Sequence, residues 1–363
     1  MPYFVAEDFM TSLHSLTIAQ KQIINSALDK PIKLVTLTND NGLTVSLSNL
    51  GASIWSVTVP SQHNNQADKE LVLNYHNVAD WSSNPYYFGV TVGRVANRIS
   101  HACFALNRKK IKLSANEGDN QLHGGPEGIS KAIWSFESFE KPNTVGVIYR
   151  YHSPDGDQGY PGNMDIEITY SLNNSNELTL SYQAIADQTT PINLTNHTYW
   201  NIAGTTSRDI LDLTLELPAE HILALNEQQI PTGALLPVTN TAFDFRHRKS
   251  IGKDIETLAH GYDHYFIIDR KTRDLIKVAE LFDPKSGLTM EVLSTEKGLQ
   301  LYSGNFLTNS HFGGDGKPLN KFKGLCIETH GYPDAVNHAN FPSIIVEKGD
   351  IYRQTTLFKF SQF

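Results

Sequence analysis

Residues 32–47 read IKLVTLTNDNGLTVSL, a pattern that predicts two strands joined by a tight turn. The runs 32–38 and 43–47 are rich in β-branched residues and flank Asn39-Asp40-Asn41-Gly42, and Asn-Gly is a strong hairpin signal. No long amphipathic helix alternates with the β-rich runs of the chain, which argues against a parallel α/β sheet. The sequence therefore predicts an all-β fold, one large antiparallel β-sandwich. Further β-rich runs separated by turn residues lie at 54–59, 145–151, 166–170, 178–185, 211–217, 265–269, 278–282, 288–293, 299–302, 324–328 and 355–360.

The first thirty residues have a different pattern from the rest of the chain. Their apolar residues recur at roughly helical spacing, and Pro31 then ends the segment. We therefore expect a short helical N-terminal extension over residues 1–30, followed by one catalytic domain over residues 31–363. The apolar positions concerned are Phe9, Leu13, Leu16, Ile23, Ala27 and Leu28.

The composition restricts the possible partners. The chain has 363 residues with 40% hydrophobic and 19% charged residues, as in ordinary globular proteins rather than disordered ones. Its formal net charge of −8 argues against nucleic acid or an acidic membrane surface, because both attract basic proteins. Two cysteines are too few for a disulfide framework or a thiolate zinc site, and no secretory signal is recognisable. We expect a cytoplasmic protein with neither nucleic acid nor membrane as its partner.

Three β-like segments each carry an isolated ionisable group among apolar and aromatic residues. Glu328 lies in LCIETHGYPDA (325–335), His197 in LTNHTYWN (194–201) and Asp263 in HGYDHYF (260–266). A lone ionisable group in such a stretch is costly unless water, a hydrogen bond or an opposite charge compensates it. The recurrence of this pattern predicts one shared, partly buried acid–base centre.

The alternation of side chains along a strand sorts these segments into two faces. His197 and Tyr199 fall on one face of their segment, and Trp200 falls on the other. Gln300 and Tyr302 similarly lie opposite their leucine neighbours. Cys326 falls on the same face as Glu328, where nothing marks it as an activated thiolate, so we expect it to fill space. Arg98, in the run 92–99, offers a fixed fork of donors for hydroxyl groups.

Other chemistries find less support in the sequence. Gly-x-Ser-x-Gly does not occur, and the glycine-rich loop 116–125 lacks the phosphate-loop pattern. His123, His197 and Glu328 form a possible two-histidine, one-carboxylate metal set, but no compact His-Glu-x-x-His motif supports it. We therefore predict no metal and no cofactor, and a metal enzyme remains an alternative.

Seven ordered motifs give the chain a specific resemblance to a known family, the aldose 1-epimerases or galactose mutarotases. The resemblance runs from about residue 37 to residue 360. The motifs are GRVANRI (93–99), NQLHGG (120–125), DGDQGYPG (155–162), TNHTY (195–199), GYDH (261–264), QLYSGN (300–305) and ETHGYPDAVN (328–337).

This resemblance implies an isomerase that interconverts the α and β anomers of free hexoses such as galactose and glucose, without a cofactor. It implies a large, twisted antiparallel supersandwich, with Glu328 as general base and His197 as general acid. It also implies sugar binding by Asn97, Arg98, His123, Tyr199, Asp263 and Gln300. Three positions depart from the usual family pattern and could alter sugar preference, namely Trp200, Tyr265 and His330.

Two further alternatives remain open at this point. The same fold could serve as a sugar-binding or sensor protein without catalysis, although a binder needs no matched acid and base. A related epimerase acting on hexose 6-phosphates would need additional cationic residues near C6 of the sugar, and the sequence assigns none.

Overall fold

The computed structural model describes residues 16–23, 31–61, 67–205 and 208–363, and three antiparallel sheets dominate it. This confirms the predicted all-β class. Within those residues, Asp80–Ser83 is the one α-helix. Short 3₁₀ turns occur at Ser100–Ala102, Ile129–Lys131, Asp157–Gly159, Ile251–Lys253, Ile255–Thr257 and Ala335–Asn337.

A nine-stranded sheet forms one layer of the sandwich. Burial alternates strictly along its strand Met164–Asn173. Ile166, Ile168 and Tyr170 are buried, and the residues between them are more exposed. That period of two places one face of the sheet on the core. In spatial order the strands are Ser135–Lys141, Thr144–Ser153, Met164–Asn173, Glu177–Ala186, Ile351–Ser361, Thr289–Ser294, Ile276–Phe282, Thr214–Glu216 and Lys249–Ser250.

A five-stranded sheet contains the hairpin predicted from residues 32–47. The side-chain oxygen of Asn39 accepts the N–H groups of Asn41 and Leu43, and Gly42 adopts a φ of 81° in the turn. A positive φ of this kind costs glycine little. In spatial order the strands are Thr17–Ile23, Ile32–Thr38, Thr44–Ser48, Ser53–Val59 and Lys69–Glu70.

The prediction of a helical extension is wrong for Thr17–Ile23, which form a strand. This strand pairs antiparallel with Ile32–Thr38 along its full length, and Leu16 and Ile18 pack against the core. The pairing satisfies backbone groups along the edge of Ile32–Thr38, an effect that local helical spacing does not capture. Residues 1–15 and 24–30 of the predicted extension lie outside the described residues.

A six-stranded sheet completes the three large layers. Its strands in spatial order are Tyr199–Trp200, Leu325–Thr329, Gly298–Tyr302, Asp263–Ile267, His221–Leu225 and Pro231–Pro237. Short antiparallel pairs join the connecting segments, namely Thr91–Val92 with Thr195–Asn196, Arg98–Ile99 with Gln121–Leu122, Cys103–Leu106 with Lys109–Lys112, and Thr190–Pro191 with Ile345–Val346.

The largest hydrophobic cluster contains apolar side chains from all three sheets. Val35, Ile168, Leu299, Ile327 and Phe358 are all buried in it. Burial of side chains of this size contributes about 1.5–3 kcal/mol each. Because this cluster occupies one face of the six-stranded sheet, only the opposite face can carry polar chemistry. No helix in the part of the chain that the structure describes has both the length and the apolar character needed to span a bilayer.

Candidate active site

The register of the six-stranded sheet brings the predicted polar side chains onto one face. Gln300 lies directly opposite Glu328, and Tyr302 lies opposite both Asp263 and Cys326. Directly opposed residues of paired strands point to the same side of the sheet. The leucines on either side of Gln300 are buried in the main core. The predicted division of these strands into a polar and an apolar face is therefore confirmed.

His197 reaches the same face from the segment that precedes Tyr199–Trp200. Its backbone N–H donates to Val90, and its carbonyl accepts the N–H of Gly89, which fixes the chain on both sides of the ring. Trp200 points the other way, into the core, where its ring lies 4.7 Å from that of Phe358.

Two adjacent segments, at the paired strands Arg98–Ile99 and Gln121–Leu122, carry Asn97, Arg98 and His123. The N–H of His123 donates to the carbonyl of Asn97, and the N–H of Asn97 donates to Nδ1 of His123. Gly124 follows with a φ of 86°, and a Cβ there would lie 1.8 Å from the carbonyl oxygen of Gly93. Only glycine fits this close approach of two backbones, which explains the glycine of the NQLHGG motif.

The assembled residues line a cavity of about 440 Å³. Its volume lies within the range of 300–1,000 Å³ that is typical of small-molecule sites. Tyr87 and Glu117 also line the cavity, but they were not singled out from the sequence. For Glu117 the available signal was an acidic residue close to His123 in a polar loop. All eight predicted site residues line the cavity, namely Asn97, Arg98, His123, His197, Tyr199, Asp263, Gln300 and Glu328.

His197 and Glu328 form a buried histidine–carboxyl pair in the cavity. Nε2 of His197 lies 3.7 Å from Oε1 of Glu328, and the two side chains are only 6% and 2% exposed. The other carboxylate oxygen of Glu328, Oε2, is buried without a hydrogen-bond partner among the described residues. A buried polar atom without a partner is costly, so this oxygen is a natural place for a ligand hydroxyl.

Burial shifts both members of this pair towards their neutral forms. Desolvation, aided by the charge of Asp263 and opposed by Arg98, raises the pKa of Glu328 well above its usual value. Desolvation likewise lowers the pKa of His197 to about 4. The pair therefore favours a protonated glutamic acid beside a neutral imidazole rather than an ion pair.

The remaining polar groups are held in fixed orientations. Arg98 donates from Nε and Nη2 to the two carboxylate oxygens of Glu117, both at 2.7 Å. Nε2 of Gln300 donates to Oδ1 of Asp263 at 2.6 Å. Such pairing fixes the rotamers of the four side chains, so they can recognise a rigid ring of hydroxyl groups with little loss of conformational entropy.

The structure also brings together the possible metal set of His123, His197 and Glu328, with ligand atoms within 4.8 Å of one another. The hydrogen bonding of His123 does not fit that role. Because the N–H of Asn97 donates to Nδ1, a neutral His123 carries its proton on Nε2, which then lacks a lone pair for a metal. Histidine ligands usually donate from their second nitrogen instead. His123 is therefore a hydrogen-bond donor towards the cavity.

The three positions that depart from the family pattern do not line the cavity. Trp200 belongs to the core, and the hydroxyl of Tyr265 donates to the carbonyl of His330 at 2.6 Å. His330 itself is fully buried and contacts Asn193 and Gly331. All three residues therefore make their contacts within the fold and not with the cavity.

Comparison with known proteins gives matches to one family over most of the chain. The model of the family described as aldose 1-epimerase matches residues 33–359. Galactose mutarotase of Rattus norvegicus is 38% identical over 320 residues, covering 88% of this chain and 91% of that protein. Aldose 1-epimerase of Haemophilus influenzae is 36% identical over 94% of this chain and 99% of its own length.

Solved structures give the same result. The galactose 1-epimerase from Lactobacillus acidophilus superposes with a TM-score of 0.85 at 26% identity, covering 96% of this chain and 99% of that one. A GalM/aldose epimerase homologue from C. elegans superposes with a TM-score of 0.82 at 31% identity, covering 91% of this chain and 98% of that one.

Proposed function

Because this chain belongs to the aldose 1-epimerase family, we propose that Glu328 and His197 are the base and the acid of its reaction. The protein is an isomerase that interconverts the α and β anomers of an aldose. The single observation that supports this assignment best is the separation of 3.7 Å between Nε2 of His197 and Oε1 of Glu328 in the cavity. Both atoms can reach the C1–O5 unit of one pyranose.

In the proposed cycle, Glu328 removes the proton of the anomeric hydroxyl while His197 gives a proton to the ring oxygen O5. The C1–O5 bond breaks and leaves an open-chain aldehyde. Rotation about C1–C2 presents the other face of the carbonyl to O5. On closure the neutral imidazole takes the proton back from O5, and the glutamic acid returns its proton to O1. No atom or electron is gained or lost, so the cycle needs no cofactor.

The electrostatics of the cavity suit the ring-opening step. Both proton transfers convert a carboxylate and an imidazolium into a glutamic acid and a neutral imidazole. Burial stabilises this neutral pair, as the raised pKa of Glu328 and the lowered pKa of His197 indicate. Ring opening therefore runs downhill from the ion pair to the neutral pair, and its rate depends on the product of that driving force and the population of the ion pair. Positioned acid–base groups of this kind contribute about 10²–10⁴-fold.

For the substrate we propose a free hexose such as galactose or glucose, in keeping with the names of the relatives. The proposed catalytic domain spans residues 31–363. The two free cysteines and the net charge of −8 support a cytoplasmic location and a small-molecule partner rather than nucleic acid or a membrane. The proposed sugar-binding residues are Asn97, Arg98, His123, Tyr199, Asp263 and Gln300.

The charge of the cavity argues against a hexose 6-phosphate. Among the described lining residues, Arg98 is the one guanidinium or ammonium group, and Glu117 already binds it through two hydrogen bonds. Asp263 and Glu227 add further carboxyl groups. A dianionic phosphate would therefore find no unpaired guanidinium or ammonium group among the described lining residues. A purely sugar-binding role is also disfavoured, because a binder needs hydrogen bonds but no acid and base that face each other as His197 and Glu328 do.

Polarimetry on freshly dissolved α-anomers tests the proposal. The expected result is acceleration of free galactose or glucose mutarotation, weak or no acceleration of galactose 6-phosphate, and full activity after dialysis against EDTA. Binding without acceleration would establish the sensor alternative. Loss of activity on chelation, restored by a divalent ion, would establish the metal alternative.

A further inference from the structure

Side chains of one strand, Leu325–Thr329, face both nitrogens of the His197 imidazole. Nε2 faces Oε1 of Glu328 at 3.7 Å, and Nδ1 faces Sγ of Cys326, also at 3.7 Å. Residues 326 and 328 are two positions apart and therefore share a strand face. One strand thus presents the partner of each nitrogen of the ring.

Cys326 has no freedom to move away from the ring. It is fully buried, and its backbone pairs with Tyr199 on one side and Tyr302 on the other. Burial, together with the charges of Glu328 and Asp263, raises the pKa of the Cys326 thiol well above its usual value. Since a thiol in such surroundings does not ionise, Cys326 is neither a nucleophile nor a counter-ion for His197.

We propose that Cys326 is a positioning residue for the ring-opening step: its sulfur accepts the Nδ1–H of His197, which leaves Nε2 to deliver the proton to the ring oxygen. The inference rests on the acid role proposed for His197. A histidine that exchanges a proton at one nitrogen must keep the other protonated and oriented, and its hydrogen-bond partner decides which nitrogen that is. Among the described residues, Cys326 provides the side-chain partner of Nδ1.

For a histidine that acts as a general acid, a sulfur atom is a more suitable partner of Nδ1 than a carboxylate. In serine hydrolases an aspartate at Nδ1 stabilises the imidazolium, which makes the histidine a better base. Sulfur is an uncharged and weak acceptor, so it orients the ring without stabilising the imidazolium. His197 therefore stays a strong acid when protonated, which suits protonation of a weakly basic ring oxygen.

Among the described residues, the other contacts of the His197 ring are with aromatic rings and with its own backbone, whose hydrogen bond acts to raise the pKa of His197. The ring of Tyr87 lies 5.8 Å from the imidazole between centroids, and the ring of His123 lies 5.1 Å away. These neighbours contact the imidazole through ring faces and edges. The titratable groups that face His197 or act on its charge, among the described residues, are Tyr87, His123, Tyr199, Tyr302, Cys326, Glu328 and His330.

Substitution of Cys326 by alanine and by serine tests the inference. Cys326→Ala removes the acceptor, and we expect kcat to fall about tenfold with KM unchanged, as for one lost hydrogen bond. Cys326→Ser keeps an acceptor of similar size and should retain kcat within about threefold. Because a hydroxyl is the stronger acceptor, the limb of the pH–rate profile governed by His197 should move to higher pH in the serine variant. Cys103→Ala, at the other free cysteine outside the cavity, is the matched control.

A second measurement keeps the inference testable if the alanine variant unfolds. In ¹⁵N-histidine-labelled wild-type protein at neutral pH, His197 should be the Nδ1–H tautomer. An Nε2–H tautomer, or an alanine variant with unchanged kcat and pH profile, would overturn the inference. A change confined to KM or to melting temperature would overturn it too, since that indicates a packing role. Full activity of a His197→Asn variant would instead refute the proposed function itself.

Discussion

Replacing Glu328 by glutamine should abolish most of the activity and at the same time make the protein more stable. The amide has the same shape as the carboxylate but cannot accept the proton of the anomeric hydroxyl. General acid–base groups contribute about 10²–10⁴-fold, so we expect kcat to fall by about that factor while sugar binding persists. Such opposite effects on rate and stability are characteristic of a strained functional group.

The gain in stability follows from the burial of the carboxyl group. Oε2 of Glu328 has no hydrogen-bond partner among the described residues, so little offsets the cost of burying the carboxylate charge, and a neutral glutamine amide avoids that cost. Because the folded-state pKa of Glu328 is raised, the folded protein holds this proton more tightly than the unfolded chain does. The contribution of Glu328 to stability is therefore present below its unfolded pKa of about 4.3 and is lost as the pH rises through the folded pKa.

Glu328→Gln should accordingly match the wild type near pH 4 and exceed it by about 1–3 kcal/mol near pH 7.5. Polarimetry of α-galactose and urea unfolding at both pH values measure the two effects. Glu117→Gln is the matched control: it makes the same chemical change in the same cavity but breaks the two-fold pairing with Arg98, so it should lose stability. A Glu328→Gln variant that turns over within tenfold of the wild type, or that is less stable at pH 7.5, refutes this reasoning.

Three other perturbations give distinct expectations. His197→Asn should lower kcat about 10²–10⁴-fold, and combining it with Glu328→Gln should add little, because the two groups act as a unit; additive losses in polarimetry would contradict this. Arg98→Lys cannot reproduce the paired hydrogen bonds to Glu117, so KM should rise about tenfold with a smaller change in kcat, as initial rates across galactose concentrations will show. Burial lowers the pKa of His264 to about 4, so its contribution to stability is present above pH 6.5 and is lost as the pH falls towards 4. His264→Phe should therefore gain about 2 kcal/mol relative to the wild type between pH 7.5 and pH 4.5 in urea unfolding, and a constant difference would count against it.

The hairpin at residues 32–47 and the alternating strand Met164–Asn173 show that the local sequence specifies part of this fold. A period of two is visible in neighbouring residues, and Asn-Gly specifies a turn without help from the rest of the chain. The prediction of a helix at Thr17–Ile23 failed for the opposite reason. Seven residues with mixed spacing became a strand because Ile32–Thr38 offers them backbone partners, and such pairing is not a property of the segment itself.

The sequence by itself determined the fold class, the two faces of the site strands and, through the resemblance of its motifs, the names of the eight candidate residues. The tertiary structure alone decided that His197 and Glu328 face each other at 3.7 Å, that Glu117 holds Arg98, and that Cys326 lies against Nδ1. The physical reason is that distances between remote segments depend on strand register and loop closure. Desolvation depends in turn on everything packed around a group, so the shifted pKa values of Glu328 and His197 exist only in the folded chain.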